Sequence, residues 1–260
     1  MTRALTVADL RALKGKRQFL TMHVDSPAEA AAAAEAGIEM FTCEVDEQLP
    51  RIRKAAPTAF IQAAHVQGAI HDESSAIREG FRALDLGASC LYFAGSLRLL
   101  EAMAKEGIPV SGHVGLVPRW ATWTNFRSIG KTPEEAASIY RRVKDYEQAG
   151  AWAVEMEVVP VAIAEWITRS TPLITIGMGC GAVCDAQYLF SCDVLGTGIS
   201  RVPRHAKQYA DLAAEEARLQ DLRVNAFRTF AEDVRDRKYP ETRHEVHVDK
   251  EVLVAAKTLV

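Results

Sequence analysis

Three short phrases in this chain place ionisable residues or glycines at the ends of β-branched runs: Gly-Ile-Pro-Val-Ser-Gly-His-Val-Gly-Leu-Val-Pro (107–118), Ala-Val-Glu-Met-Glu-Val-Val-Pro (153–160) and Ile-Thr-Ile-Gly-Met-Gly-Cys-Gly (174–181). Each reads as a buried parallel strand followed by a loop that can present chemistry. Brought to one edge of a sheet, they set His113, Glu157 and a Gly-x-Gly-x-Gly turn at the carboxyl ends of the strands, where such sheets bind their ligands. Strand geometry adds further pairs, because side chains two apart face the same way. Glu44 and Asp46 form one such pair, Glu155 and Glu157 another, and His23 with Asp25 a third. Neighbouring acids push each other's pKa apart, which suits acid–base chemistry. Glu155 is set aside as the outer half of an alternating pair. Gly177, Gly179 and Gly181 fit either an anion cradle of backbone N–H groups or a tight barrel turn.

The elements that must position these residues alternate strand and helix. Strands are expected at 19–24, 38–45, 59–66, 90–94, 109–116, 151–159, 173–178 and 190–195, with helices at 27–36, 49–56, 74–86, 97–105 and 132–148 between them. Eight strands in this rhythm and length predict an α/β fold of the (β/α)8 barrel type. The barrel is expected over residues 1–203 and a helical extension over 204–260, with two helical stretches to about Arg237 and then a charged tail carrying His244, His247 and Asp249. That extension is expected to pack on the barrel or on a neighbouring subunit. Residues 118–131, with Trp120, Trp123, Asn125, Phe126 and Arg127, are too long and aromatic for a plain connection and read as a lid or contact surface.

Bulk properties narrow the classes. A chain of 260 residues, 48% hydrophobic, can bury a large core. A net charge of −3 without a basic cluster argues against nucleic acid as a partner. No apolar run suits a bilayer span and the start lacks a signal-peptide core, so a cytoplasmic protein without a membrane partner is expected. Cys180, Cys184 and Cys192 do not follow a zinc pattern, and the cysteines, Cys43 and Cys90 included, read as reduced, buried small hydrophobes.

The phrases resemble the ketopantoate hydroxymethyltransferase family, of the phosphoenolpyruvate mutase and isocitrate lyase superfamily of barrels. Residues 112–118 resemble the family's Gly-His-x-Gly-Leu-x-Pro, residues 150–160 its Gly-Ala-x-x-x-x-x-Glu-x-Val-Pro, and residues 175–181 its Thr-Ile-Gly-Ile-Gly-x-Gly. Residues 184–187 and 193–196 resemble its Cys-Asp-Gly-Gln and Asp-x-Leu-Gly. The resemblance implies an aldol addition, in which a divalent metal and a general base turn a 2-oxo acid into its enolate, which attacks a one-carbon unit from methylenetetrahydrofolate. It makes Glu157 the base or proton shuttle and His113 a polar contact to the substrate. It also implies a homo-oligomer acting on a small molecule.

The departures fall elsewhere. The family's Val-Gly-Asp-Ser aligns with Cys43-Glu44-Val45-Asp46, which puts the metal aspartate on Val45 and the serine that meets the substrate carboxylate on Asp46. Its next aspartate falls on Ala64, with His65 one residue beyond, and its Lys-x-Glu becomes Tyr92-Phe93-Ala94. All three acidic metal positions are changed, so loss of the family's magnesium is expected, with folate as co-substrate only if the standard reaction is retained. His23, Glu44, Asp46 and His65 offer donors for a different divalent ion. The same residues, with Tyr92, are candidates for substrate binding, and an aromatic mouth suits a substrate larger or less anionic than ketoisovalerate. Three functions stand open: an enzyme of this family with Glu157 as acid–base residue, a diverged and metal-independent lyase, hydrolase or isomerase, or a non-catalytic barrel that binds a metabolite.

Overall fold

Parallel strands of five residues or so, each followed by a loop, close into a barrel in the computed structural model of the chain, which describes residues 3–65, 68–198 and 202–260. The strands are β1 (Phe19–His23), β2 (Met40–Glu44), β3 (Phe60–Ala64), β4 (Cys90–Tyr92), β5 (Val110–Gly115), β6 (Ala153–Glu157), β7 (Ile174–Met178) and β8 (Ala186–Phe190). Each pairs with the next, and β8 closes on β1 with Phe19 opposite Ala186 and His23 opposite Phe190. The chain therefore has the (β/α)8 barrel that its rhythm predicts.

Helix α1 (Val7–Leu13) precedes the first strand, and α2 (Pro27–Glu35), α3 (Leu49–Ala55), α4 (Glu73–Asp85) and α5 (Leu97–Lys105) follow β1 to β4 in turn. Beyond β5 come α6 (Ala121–Thr124) and α7 (Pro133–Gln148), and beyond β6 comes α8 (Val161–Ser170). Their starts are written in side chains. Ser26 Oγ accepts from Glu29 N, Asp72 Oδ1 from Ser75 N and Thr132 Oγ1 from Glu135 N. Such caps satisfy donors that the first turn leaves orphaned.

Two apolar cores result. Phe19, Met40, Phe60 and Ile174 fill the interior of the barrel together with Leu10 of α1. Ile52, Leu100, Met103 and Ile167 pack between the strands and the helices outside. Above the interior apolar layer the inward positions turn polar, with Thr42, Gln62, Ser111 and Glu155 all buried. A polar layer inside a barrel has to satisfy itself, because no water reaches it from the closed end.

The last strand lies earlier than expected. Residues 190–195 read as a strand, yet β8 ends at Phe190 and Ser191–Leu195 forms the short helix α9, ended by Gly196 at φ 69°. No helix lies between β7 and β8, which are joined by a turn through Gly179 (φ 73°) and Gly181 (φ 71°). The short run Ser-Cys-Asp-Val-Leu fits either state locally, and only closure of the barrel against β1 selects Ala186–Phe190 as the strand. Val66, expected at the end of the third strand, lies outside the described residues.

The chain separates into a unit ending at Ala210 and a second unit, Asp211–Val260. The second unit contains α10 (Leu212–Arg235), one continuous helix where two stretches were expected, since nothing in it breaks the helical pattern. A final helix, α11 (Lys250–Lys257), occupies what reads in sequence as a charged tail. Among the described residues no helix is long and apolar enough to cross a membrane.

Candidate active site

The carboxyl ends of the strands enclose a cavity of about 330 Å³. Register explains who meets whom there. His113 on β5 is level with Glu155 on β6, and Glu157 sits one inward position higher, opposite Gly115. The imidazole is thereby held between two carboxylates: Nδ1 lies 3.4 Å from Glu155 Oε2 and Nε2 lies 3.4 Å from Glu157 Oε2. His113 is buried, which by itself disfavours its charge, but the hydrogen bonds and fields of Glu155 and Glu157 win and push it up to about 9. The ring is a cation at neutral pH. Nε2 also lies 3.1 Å from Leu116 O, and Nδ1 lies 2.7 Å from Tyr92 Oη.

The two carboxylates are not equivalent. Glu155 accepts from Gln62 Nε2, and Gln62 Oε1 in turn accepts from Ser111 Oγ at 2.9 Å. That chain fixes Glu155 beneath the imidazole. Glu157 lines the cavity and has His113 as its side-chain partner among the described residues, which leaves it acceptor capacity that no other side chain uses. The backbone around it is shaped for this. Val158, the next residue, has φ 53°, a left-handed conformation that costs a β-branched side chain about 1–3 kcal/mol. Val158 N donates to Met178 O at 2.7 Å and Val158 O accepts from Ser128 Oγ at 2.7 Å, so both of its peptide groups are tied down. Gly115 is required beside it, because a Cβ there would collide with Glu157 O.

On the opposite side of the mouth the side chains are sparser. Glu44 lines the cavity, with its pKa raised by burial and eased by His23. His23 Nδ1 pairs with Thr42 Oγ1 at 3.0 Å and Nε2 with Asp25 Oδ1 at 3.2 Å. Thr42 Oγ1 also pairs with Tyr188 Oη at 2.8 Å. His65 borders the cavity but turns Nε2 to Glu79 O at 3.1 Å. Tyr92, Phe93, Tyr188 and Phe190 give this side its aromatic character. Arg119, at the rim, is the single Lys or Arg among the described lining residues.

Several sequence expectations are corrected. Asp46 does not line the cavity: β2 ends at Glu44, the alternation lapses, and Asp46 Oδ1 accepts from Gln48 N at 2.8 Å as a turn cap. Val45, to which the family's metal aspartate was aligned, is buried in the outer core, and Glu44 is the inward residue at that strand end. Glu155 is interior, not outer. The signal was present, since Glu155 is two residues from Glu157 and must share its face. Gln62, Thr42 and Tyr188 were also missed, because a polar residue inside an apolar run carries no mark of which face it takes. Trp120 and Trp123 are not among the lining residues, and Pro118 and Arg119 are the part of that loop that reaches the cavity. Gly177 in β7 and Gly179 in the turn after it are needed for packing, since a Cβ would meet Cys184 Sγ at 2.6 Å and His205 Cβ at 2.9 Å respectively. Cys43, Cys90, Cys180 and Cys184 are buried.

The donor set does not fit the family's magnesium. Hard divalent ions want several oxygen ligands, whereas β3 ends in Ala64 and the second residue past β4 is Ala94. Among the described residues no three His, Cys, Asp or Glu side chains are grouped to hold a metal ion. Of the set His23, Glu44, Asp46 and His65, the two histidines and Glu44 line the cavity, but Asp46 caps a turn and both imidazoles have other partners.

An acid–base cluster at the carboxyl edge of a closed eight-stranded barrel defines the class, a (β/α)8 barrel with the site architecture of enzymes. Solved structures of similar fold include phosphonopyruvate hydrolase in complex with oxalate and magnesium (14% identity, TM-score 0.52, covering 98% of this chain and 96% of that one). Another is 2,3-dimethylmalate lyase of the phosphoenolpyruvate mutase and isocitrate lyase superfamily (11% identity, TM-score 0.53, covering 98% and 100%). At such identities what is shared is the fold. The sequence profile described as ketopantoate hydroxymethyltransferase matches residues 20–242, and the chain belongs to that family of transferases. The 3-methyl-2-oxobutanoate hydroxymethyltransferase of Oleidesulfovibrio alaskensis is 30% identical over 275 residues, 94% of this chain and 91% of the relative. That of Bacillus licheniformis is 37% identical over 171 residues, 64% of this chain and 59% of the relative.

Proposed function

We propose that this chain makes or breaks a carbon–carbon bond next to a carbonyl, with Glu157 as the residue that removes and returns the proton on the carbon. The observation that carries this reading is the unequal pair of carboxylates on His113: both line the cavity, but Glu155 is also pinned by Gln62, while Glu157 has His113 as its side-chain partner among the described residues. A base must be free to take a proton from its substrate, and a positioning group must not. The proton passes from the carbon to a Glu157 oxygen, leaving an enolate that can attack an electrophile, and the reverse sequence cleaves the same bond. The donor set at the mouth does not fit magnesium, and the chain's own residues carry the proton. The aromatic lining and the solitary Arg119 favour a substrate that carries less negative charge than a small 2-oxo acid, or carries it at the rim. Methylenetetrahydrofolate enters only as a co-substrate, if the carbon unit transferred is the family's.

Deuterium exchange at the carbon next to the carbonyl, followed by NMR, tests the first half of this reaction without knowledge of the acceptor. 3-Methyl-2-oxobutanoate and a panel of 2-oxo acids and their esters are incubated with the enzyme and a chelator in deuterium oxide. At least one should exchange, and Glu157→Gln should slow that exchange by about 10²–10⁴-fold. Exchange that survives in Glu157→Gln removes Glu157 as the base. Exchange that appears only when magnesium is added, or ordinary turnover with methylenetetrahydrofolate and magnesium, restores the family's standard chemistry.

A further inference from the structure

An enolate needs a partner for its oxygen, and the side of the barrel where the family places acidic metal ligands offers none. What stands there is Tyr92, at the end of β4, a residue of the cavity wall whose hydroxyl lies 2.7 Å from His113 Nδ1. We propose that the Tyr92 hydroxyl, polarised by the His113 imidazolium behind it, is the hydrogen-bond donor that receives the charge developing on the substrate's carbonyl oxygen. This rests on the reading of Glu157 as the base.

The direction of the hydrogen bonds makes the case. Both nitrogens of His113 face a carboxylate at 3.4 Å, so both carry protons. With Nδ1 donating, the Tyr92 oxygen accepts, and its own proton has to point away from the ring of His113. No other side chain among the described residues hydrogen-bonds to the Tyr92 hydroxyl, so the cavity is left to receive it. Burial raises the Tyr92 pKa well above its usual value, which keeps the group a neutral donor.

Charge movement fits the same arrangement. As the carbon–hydrogen bond breaks, the proton goes to Glu157 and its bonding electrons become the enolate, with the negative charge on oxygen. Nothing is oxidised or reduced, and the total charge in the cavity is unchanged. One negative charge leaves the Nε2 side of His113 and another appears on the Nδ1 side, beyond Tyr92. The imidazolium thus trades one counter-charge for another without moving, which is the preorganisation that lowers a barrier. The substrate class follows: a carbonyl compound whose oxygen accepts from a phenol, with no need for a neighbouring carboxylate to chelate a metal.

Para-nitrophenol serves as the probe, because its phenolate imitates an enolate oxygen, is small enough for the cavity and absorbs visibly only when ionised. The wild-type protein should bind the phenolate and shift its band. Tyr92→Phe, which removes one oxygen from a cavity wall, should weaken binding by roughly tenfold or more. It should also slow deuterium exchange by about 10²–10³-fold. Fluorotyrosine at position 92, a stronger donor of the same shape, should tighten binding, and a melting curve shows that each variant is folded. Glu157→Gln, which imitates the base after proton transfer, should bind the phenolate at least as well as wild type. Unchanged phenolate binding in Tyr92→Phe overturns the proposal even where Glu157→Gln abolishes exchange. Phenolate binding that depends on Tyr92 while Glu157→Gln exchanges normally upholds the donor and removes the base.

Discussion

The two sides of the barrel mouth are built on opposite principles. On β5 and β6, His113, Glu155 and Glu157 form a dense ionised cluster in which each charge is answered by its neighbour. At the ends of β2, β3 and β4 stand Glu44, Ala64 and Tyr92, with Ala94 just beyond, and the wall is aromatic. The first side carries the phrases by which the chain resembles its family, and the second carries few acids, with Glu44 the one carboxylate named there. The difference teaches that one barrel mouth can pair an ionised wall with an aromatic one, because each wall is supplied by different strands.

The comparison can be broken most forcefully at the base of the ionised side. Glu155→Gln keeps an oxygen that can accept from Gln62 but removes the charge, leaving His113 with one carboxylate in place of two. Exchange catalysed by Glu157 should fall about 10–100-fold through misplacement of the imidazole, and a pH–rate profile should show the upper limb moving to lower pH, a displacement that simple loss of packing would not produce. A smaller effect concerns stability against pH. His113 is faced by Glu155, Glu157 and the Tyr92 hydroxyl, with Tyr146 Oη on its backbone oxygen, and its pKa rises from 6.5 in the unfolded chain to about 9 in the fold. The folded state therefore holds the proton more tightly. This contribution is complete below about pH 6.5 and is lost as pH climbs through about 9. The melting temperature should fall across that window in wild type and fall less in His113→Gln.

The aromatic side can be sharpened by restoring what it lacks. Ala64→Asp combined with Ala94→Glu places acids beside Glu44, and magnesium should then raise the melting temperature by a few degrees, following ligand linkage. The wild-type protein should show no such shift. The smallest effect is expected at Asp46, which sits just beyond that side and caps a turn at Gln48. Asp46→Ala should cost about 1 kcal/mol of stability and leave deuterium exchange unchanged; a large loss of exchange would return Asp46 to the site.

Much of this was legible in the chain itself. The eight-strand rhythm, the capped helices and the placing of His113 and Glu157 at strand ends follow from period, glycine stops and side-chain caps, which act over a few residues. Asp46 and Glu155 mark where that reasoning stops. Asp46 looked inward because strand alternation was extended past the last paired residue, and Glu155 looked outward although alternation with Glu157 placed it inside. The eighth strand was misplaced by four residues at its start, since expected residue 190 is the last residue of β8, not the first. Its identity depends on pairing with β1 across the whole barrel.

Local physics therefore determined the class of fold, the family phrases and the identity of the residues able to move a proton. Only the closed barrel decided that Glu155, His113 and Glu157 act as one cluster, that Gln62 on β3 holds it from below, and that Tyr92 stands against its imidazole. The reason is distance along the chain. Gln62 and Glu155 are 93 positions apart, and Tyr92 and His113 are 21 apart. Which of them touch is set by strand register and barrel closure, quantities that no single segment contains.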